Sequence, residues 1–80
     1  MSGTTTFRDW RMRLGLSQVQ LFKLSEVSVA TIRRAEKDSS KVSEIKKHQL
    51  VIGLNQKAVS ILGEELTLEE VFPEGETRTI

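Results

Sequence analysis

Apolar residues recur along the chain at helical spacing and never alternate over a useful length, so the pattern predicts helices and no strands. Phe7, Trp10, Arg11 and Leu14 fall at i, i+3, i+4 and i+7, which predicts a first helix over 6–14. Gly15 stands where a left-handed cap is wanted, with Leu16 behind it to pack back. Ser17 reads as the next N-cap and Gln20 completes a capping box. They open a second helix over 17–25 that buries Leu21 and Leu24. After a break at Glu26 and Val27, Ser28 caps a third helix over 28–37, with Ile32 and Ala35 facing inward. Helices this short, joined by so tight a turn, must cross steeply.

Residues 38–42, rich in serine and charge, read as an exposed loop. A longer helix is expected from Ser43 to Gly63. It places Ile45, Ile52, Val59 and Leu62 on one stripe, with Leu50, Leu54, Ala58 and Ile61 beside it. Gly53, in its middle, costs about 1 kcal/mol against alanine. Thr67 and Glu70 form a second capping box for a last turn over 68–72, which Pro73 stops. Residues 74–80 have nothing to pack and are expected to fray as a flexible tail. The expectation is an all-α chain of five helices, a single domain over 1–80 with its ordered core at 6–73.

Eighty residues support one modest core and leave little room for a catalytic cleft. No stretch approaches the ~18 apolar residues of a membrane span. Residues 1–6 lack the basic and apolar regions of a secretory signal. There is no cysteine, hence neither disulfides nor thiolate chemistry. These features point to a cytoplasmic protein. His48 has no second histidine or cysteine to share a metal with, and no nucleophile to activate. With no paired catalytic groups and no phosphate loop either, the chain reads as a non-enzyme without cofactor or metal.

The net charge of +1 hides an asymmetry. Residues 1–48 carry ten basic and five acidic side chains, whereas 49–80 carry two basic and six acidic ones. A basic front with an acidic rear suits a protein that meets a polyanion on one side.

The segment from Arg11 to Lys37 contains Gly15-Leu16-Ser17-Gln18, then Leu21, Val27-Ser28, Thr31-Ile32 and Glu36. In these residues and their spacing it resembles the phage-repressor (XRE-type, Cro-like) helix-turn-helix family. A looser likeness runs over 7–73 and includes the ending Leu66-Thr67-Leu68-Glu69-Glu70-Val71-Phe72-Pro73. The resemblance implies a compact, lambda-repressor-like DNA-binding domain with its helix-turn-helix at 17–37. Leu16, Leu21, Val27, Ile32 and Ala35 would then set the angle between the motif helices. The helix over 28–37 would be the recognition helix, its N-terminal residues over base edges in the major groove.

On that reading Val29, Ala30, Arg33 and Arg34 face the bases. Arginine can fork onto guanine O6 and N7, whereas Val29 and Ala30 can read only shape and the thymine methyl group. The competing reading of Arg33 and Arg34 is a solvated helix face. Phosphate contacts are expected from Gln18, at a helix N-terminus, and from Ser28, Thr31, Lys37 and Lys41. The resemblance also implies an inter-helix ion pair between Arg11 and Glu36. Phe7 and Trp10 are expected in the core, and Lys46 and Lys47 on the surface. Two residues depart from the family pattern: Phe22, where alanine is usual because helices approach closely, and Glu26, where glycine often supplies a positive φ. Each should cost on the order of 1 kcal/mol.

The function implied is sequence-specific transcriptional regulation, as a repressor binding double-stranded DNA and associated with the nucleoid through it. A homodimer would span a palindrome with half-sites one helical turn apart, paired through the long fourth helix or the 66–72 segment. A rival reading is a protein-interaction module, antitoxin-like or an adaptor. Its acidic C-terminal half would bind a protein partner and its DNA binding would be secondary, as the modest net charge allows.

Overall fold

The computed structural model describes residues 5–73. Each helix in it begins where a hydroxyl side chain caps its first turn. Thr5 starts α1 (Thr6–Arg13), Ser17 starts α2 (Gln18–Ser25) and Ser28 starts α3 (Val29–Lys37). Ser43 starts α4 (Glu44–Leu62) and Thr67 starts α5 (Leu68–Val71). Both expected capping boxes form, Ser17 with Gln20 and Thr67 with Glu70, and satisfy N–H groups that a helix start leaves without partners. Gly15 and Gly63 close α1 and α4 in the left-handed region, at φ 71° and 80°. The described residues form an all-helical fold without strands. None of their helices is long and apolar enough to cross a membrane. The expected tail at 74–80 lies outside the described residues.

One core joins the five helices. Phe7, Leu21, Val27, Ile32, Leu50, Leu54 and Val71 are its large, fully buried side chains. Burial of each such side chain contributes about 1.5–3 kcal/mol. Leu16 and Ala35 complete the set between α2 and α3. The C-terminal elements fold back on α1. Phe7 stacks on Phe72 with ring centroids 5.2 Å apart, and half-buried Trp10 donates from Nε1 to the Glu70 carbonyl at 3.1 Å.

Four expectations need correction. Residues 38–42 are not a plain loop: Ser39–Lys41 make a 3-10 turn that brings Val42 into the core, because a short turn lets one apolar side chain point inward. Lys47 is buried rather than a surface charge, its Nζ lying 5.7 Å from the centre of the Phe72 ring. The 66–72 segment is no free dimer surface, since Leu66, Val71 and Phe72 are all buried. Phe22 causes no crowding. It lies off the line of Leu21 and Ser25, the residues α2 buries, and is 42% exposed.

The close approach of α2 and α4 falls instead at Gly53. A Cβ there would sit 2.7 Å from Ser25 Cβ and 3.1 Å from Ser25 Cα. The helix runs through Gly53 unbroken because the glycine lets α2 settle against it. Glu26, by contrast, is strained as expected, with φ 64° and the only positive φ among the described non-glycine residues.

Two outcomes follow for stability. Glu26→Gly should raise it by about 1 kcal/mol and the melting temperature by a few degrees, read by thermal denaturation. Gly53→Ala should lower it by about 1–2 kcal/mol although alanine is the better helix former, because overpacking against the Ser25 backbone outweighs the propensity gain. A Gly53→Ala variant that melts higher would show that α2 can move away freely.

Candidate nucleic-acid interface

The arrangement starts from one carboxylate. Ile32 and Ala35 turn α3 inward, and Glu36 goes in with them at 6% exposure. A buried charge is tolerable only when paired and hydrogen-bonded. Arg11, buried on α1, donates from Nε to Glu36 Oε2 and from Nη1 to the Leu16 carbonyl at 2.6 Å. Arg8, one turn earlier, holds its Nε 3.8 Å from Glu36 Oε1. Gln18, at the start of α2, donates from Nε2 to the same Oε1 at 3.1 Å. Thr5 ties the end of α3 down further, its hydroxyl donating to the Ala35 carbonyl at 3.0 Å. One side chain thus connects α1, α2 and α3.

The network continues outward. Arg33 Nε donates to Gln18 Oε1 at 3.4 Å, so Gln18 links the buried carboxylate to an exposed cation on α3. The opposite face of α3 carries Ala30, Arg33, Arg34 and Lys37, all exposed. A shallow open recess gathers these four with Arg8, Gln18, Glu36, Asp38 and Lys41. Glu36 is matched by Arg11. The Ser40 hydroxyl and backbone N–H donate to Asp38 and, with Lys41 and Lys47 near, hold its pKa below the ordinary carboxylate value. Arg8, Arg33, Arg34, Lys37 and Lys41 leave the recess positive overall.

Of the residues singled out from the sequence, Gln18, Ala30, Arg33, Arg34, Lys37 and Lys41 therefore share one face. Val29, Ser28 and Thr31 do not line that recess. They sit at the start of α3, where the Ser28 hydroxyl accepts from Thr31 N–H at 3.2 Å and lies 3.0 Å from Thr31 Oγ1. Val29 and Thr31 are half-buried there. Arg8 was missed. Its one sequence signal is that it precedes Arg11 by three residues, the spacing of side chains on a shared helix face.

Among the described residues, no group of histidine, cysteine, aspartate or glutamate side chains could hold a metal ion. No curated protein and no solved structure matches the chain. Residues 7–46, half of its length, match the family described as Helix-turn-helix. That stretch runs from α1 through the motif pair α2 and α3 into the start of α4, and takes in Arg11, Gln18, the outward face of α3 and Glu36. The chain belongs to the helix-turn-helix family that its Arg11–Lys37 segment resembles.

Proposed function

We propose that the protein is a sequence-specific DNA-binding transcriptional regulator, a repressor that grips a palindromic operator as a homodimer with α3 in the major groove. The observation that carries this reading is the outward face of α3. Ala30, Arg33, Arg34 and Lys37 are exposed there, on a helix whose other side is fixed in the core by Ile32, Ala35 and Glu36. A rigid helix presenting arginines beside small side chains suits a groove that admits a helix and offers forked acceptors on guanine.

Within this reading Arg34 and Arg33 contact base edges, and Val29 and Ala30 set the fit and meet thymine methyl groups. The Gln18 bond occupies Arg33 Nε and leaves its two Nη groups to form the fork. Gln18 keeps one amide hydrogen and its first-turn N–H for a phosphate. Ser28, Thr31, Lys37, Lys41 and Arg8 bracket the backbone on either side. Such contacts position the protein without specifying sequence. A protein with this role works in the cytoplasm, on the nucleoid.

Selection of bound duplexes from a random-sequence library tests the proposal. The native protein should recover a palindrome, and Arg34→Ala should relax it at symmetric positions, losing about 1–3 kcal/mol of discrimination per half-site. No enrichment at moderate salt would overturn the reading and favour a protein partner instead.

Lys41→Ala should behave differently. It should weaken binding about equally on all sequences and make the dependence of log affinity on log salt shallower by about 1 per protomer, measured by titration at several salt concentrations.

A further inference from the structure

A second recess lies between α2 and α4, apart from the one beside α3. Leu16, Gln20, Lys23, Leu24, Gln56 and Lys57 line it, and none of them lines the recess beside α3. Gln20 follows Gln18 by two positions, which at about 3.6 residues per turn puts it on nearly the opposite side of α2. The recess therefore opens away from the outward face of α3. Leu16 is buried and Leu24 half-buried, so the two leucines form an apolar floor, whereas Lys23 and Lys57 are exposed. At 370 Å³ it is at the small end of ligand sites, with room for one side chain and its flanking backbone.

Its walls are fixed, and its free polar groups are nearly all donors. The close contact of Gly53 with Ser25 sets α2 against α4. Gln56 Nε2 ties the two helices again by donating to the Leu24 carbonyl at 3.0 Å. Gln20 Oε1 accepts from the Ser17 N–H at 2.8 Å. What stays free is the Gln20 amide nitrogen, the two ammonium groups and one acceptor, Gln56 Oε1. Among the described residues neither lysine forms an ion pair. Glu26 and Glu65 stand outside the lining. Glu26 follows Lys23 by three positions, and Glu65 lines the hollow on the other side of Gln56, with Ile52 and Val59.

We propose that this recess docks an acidic segment of a partner protein. An apolar side chain of the segment enters over Leu16 and Leu24, and carboxylates on either side of it meet Lys23, Lys57 and the Gln20 amide. Charge complementarity selects an acidic partner, and the leucines select peptide over nucleic acid. A phosphate backbone has no use for an apolar floor, and it finds two cations here against five in the recess beside α3. Because the walls are already set, docking orders little besides the two lysine side chains. The two recesses open on different sides, so a partner can sit here while DNA occupies α3. The site does not depend on the DNA reading.

The probe is a capped pentapeptide, Glu-Glu-Leu-Glu-Glu, titrated into isotope-labelled protein and followed by backbone amide chemical shifts. Shifts should change at residues 16, 20, 23, 24, 56 and 57. Lys23→Ala and Lys57→Ala should each weaken binding about two- to fivefold, as exposed ion pairs do, with an unchanged melting temperature. The peptides Gln-Gln-Leu-Gln-Gln and Glu-Glu-Ser-Glu-Glu, which lack the carboxylates or the apolar side chain, should both bind more weakly here. Changes confined to Arg33, Arg34, Lys37 and Lys41 would overturn the proposal, since acids would then seek only the α3 face. So would an equal response to the uncharged peptide, or no response at millimolar peptide. A Lys23→Ala, Lys57→Ala protein that loses as much affinity for duplex DNA as Lys41→Ala would assign the lysines to nucleic acid and overturn it too. Peptide binding at this recess in a protein that selects no DNA would uphold the site while the DNA reading fails.

Discussion

The fold depends on how the Glu36 carboxylate is held. Buried alone it would cost several kcal/mol; held by Arg11, approached by Arg8 and bonded by Gln18, it fixes three helices at one point. The cluster sits directly beneath the exposed face of α3. The steep crossing of two short helices, which a tight turn alone would leave loose, becomes one definite geometry. The charged cluster supplies direction and register, whereas the apolar side chains around it supply most of the burial.

The second constraint is the contact of α2 with α4. Gly53 is the point at which the long helix yields space, and Ser25 is the residue that uses it. Ser25 also spans the end of α2, its hydroxyl donating to the Leu21 carbonyl and accepting from Val27 N–H. A small residue, a close approach and a turn thus coincide just before the left-handed Glu26. The motif pair is braced from outside by α4, as well as from within by its own core.

Helix starts were legible in the sequence because they are local. A serine or threonine before an apolar run, with glutamine or glutamate three residues on, specifies its own geometry without reference to the rest of the chain. The left-handed backbone at Glu26 was legible only through the family resemblance, in which glycine often stands at that position. What escaped was long-range. The periodicity of α4 gives two apolar stripes, and nothing local says which one meets the core. Lys47 reads as a surface charge until the Phe72 ring is seen to lie near it. Gly53 reads as a weak point of a helix until a second helix is laid against it. At the interface, the residues of α3 could be named from helical periodicity and the motif. The Gln18–Arg33 link depends on a crossing angle that only the three-dimensional arrangement supplies.

On α3, residues that hold the fold and residues that face outward are almost entirely different ones. Ile32, Ala35 and Glu36 are committed to the interior, whereas Ala30, Arg34 and Lys37 have no packing duty. Lineages can therefore rewrite the outward set at little risk to foldedness, and new recognition can arise by drift through viable intermediates. Arg33 is the exception, because its bond to Gln18 ties it to the Glu36 cluster. Changes there should be inherited together with changes at Gln18, making this pair the slowest part of the surface to diverge.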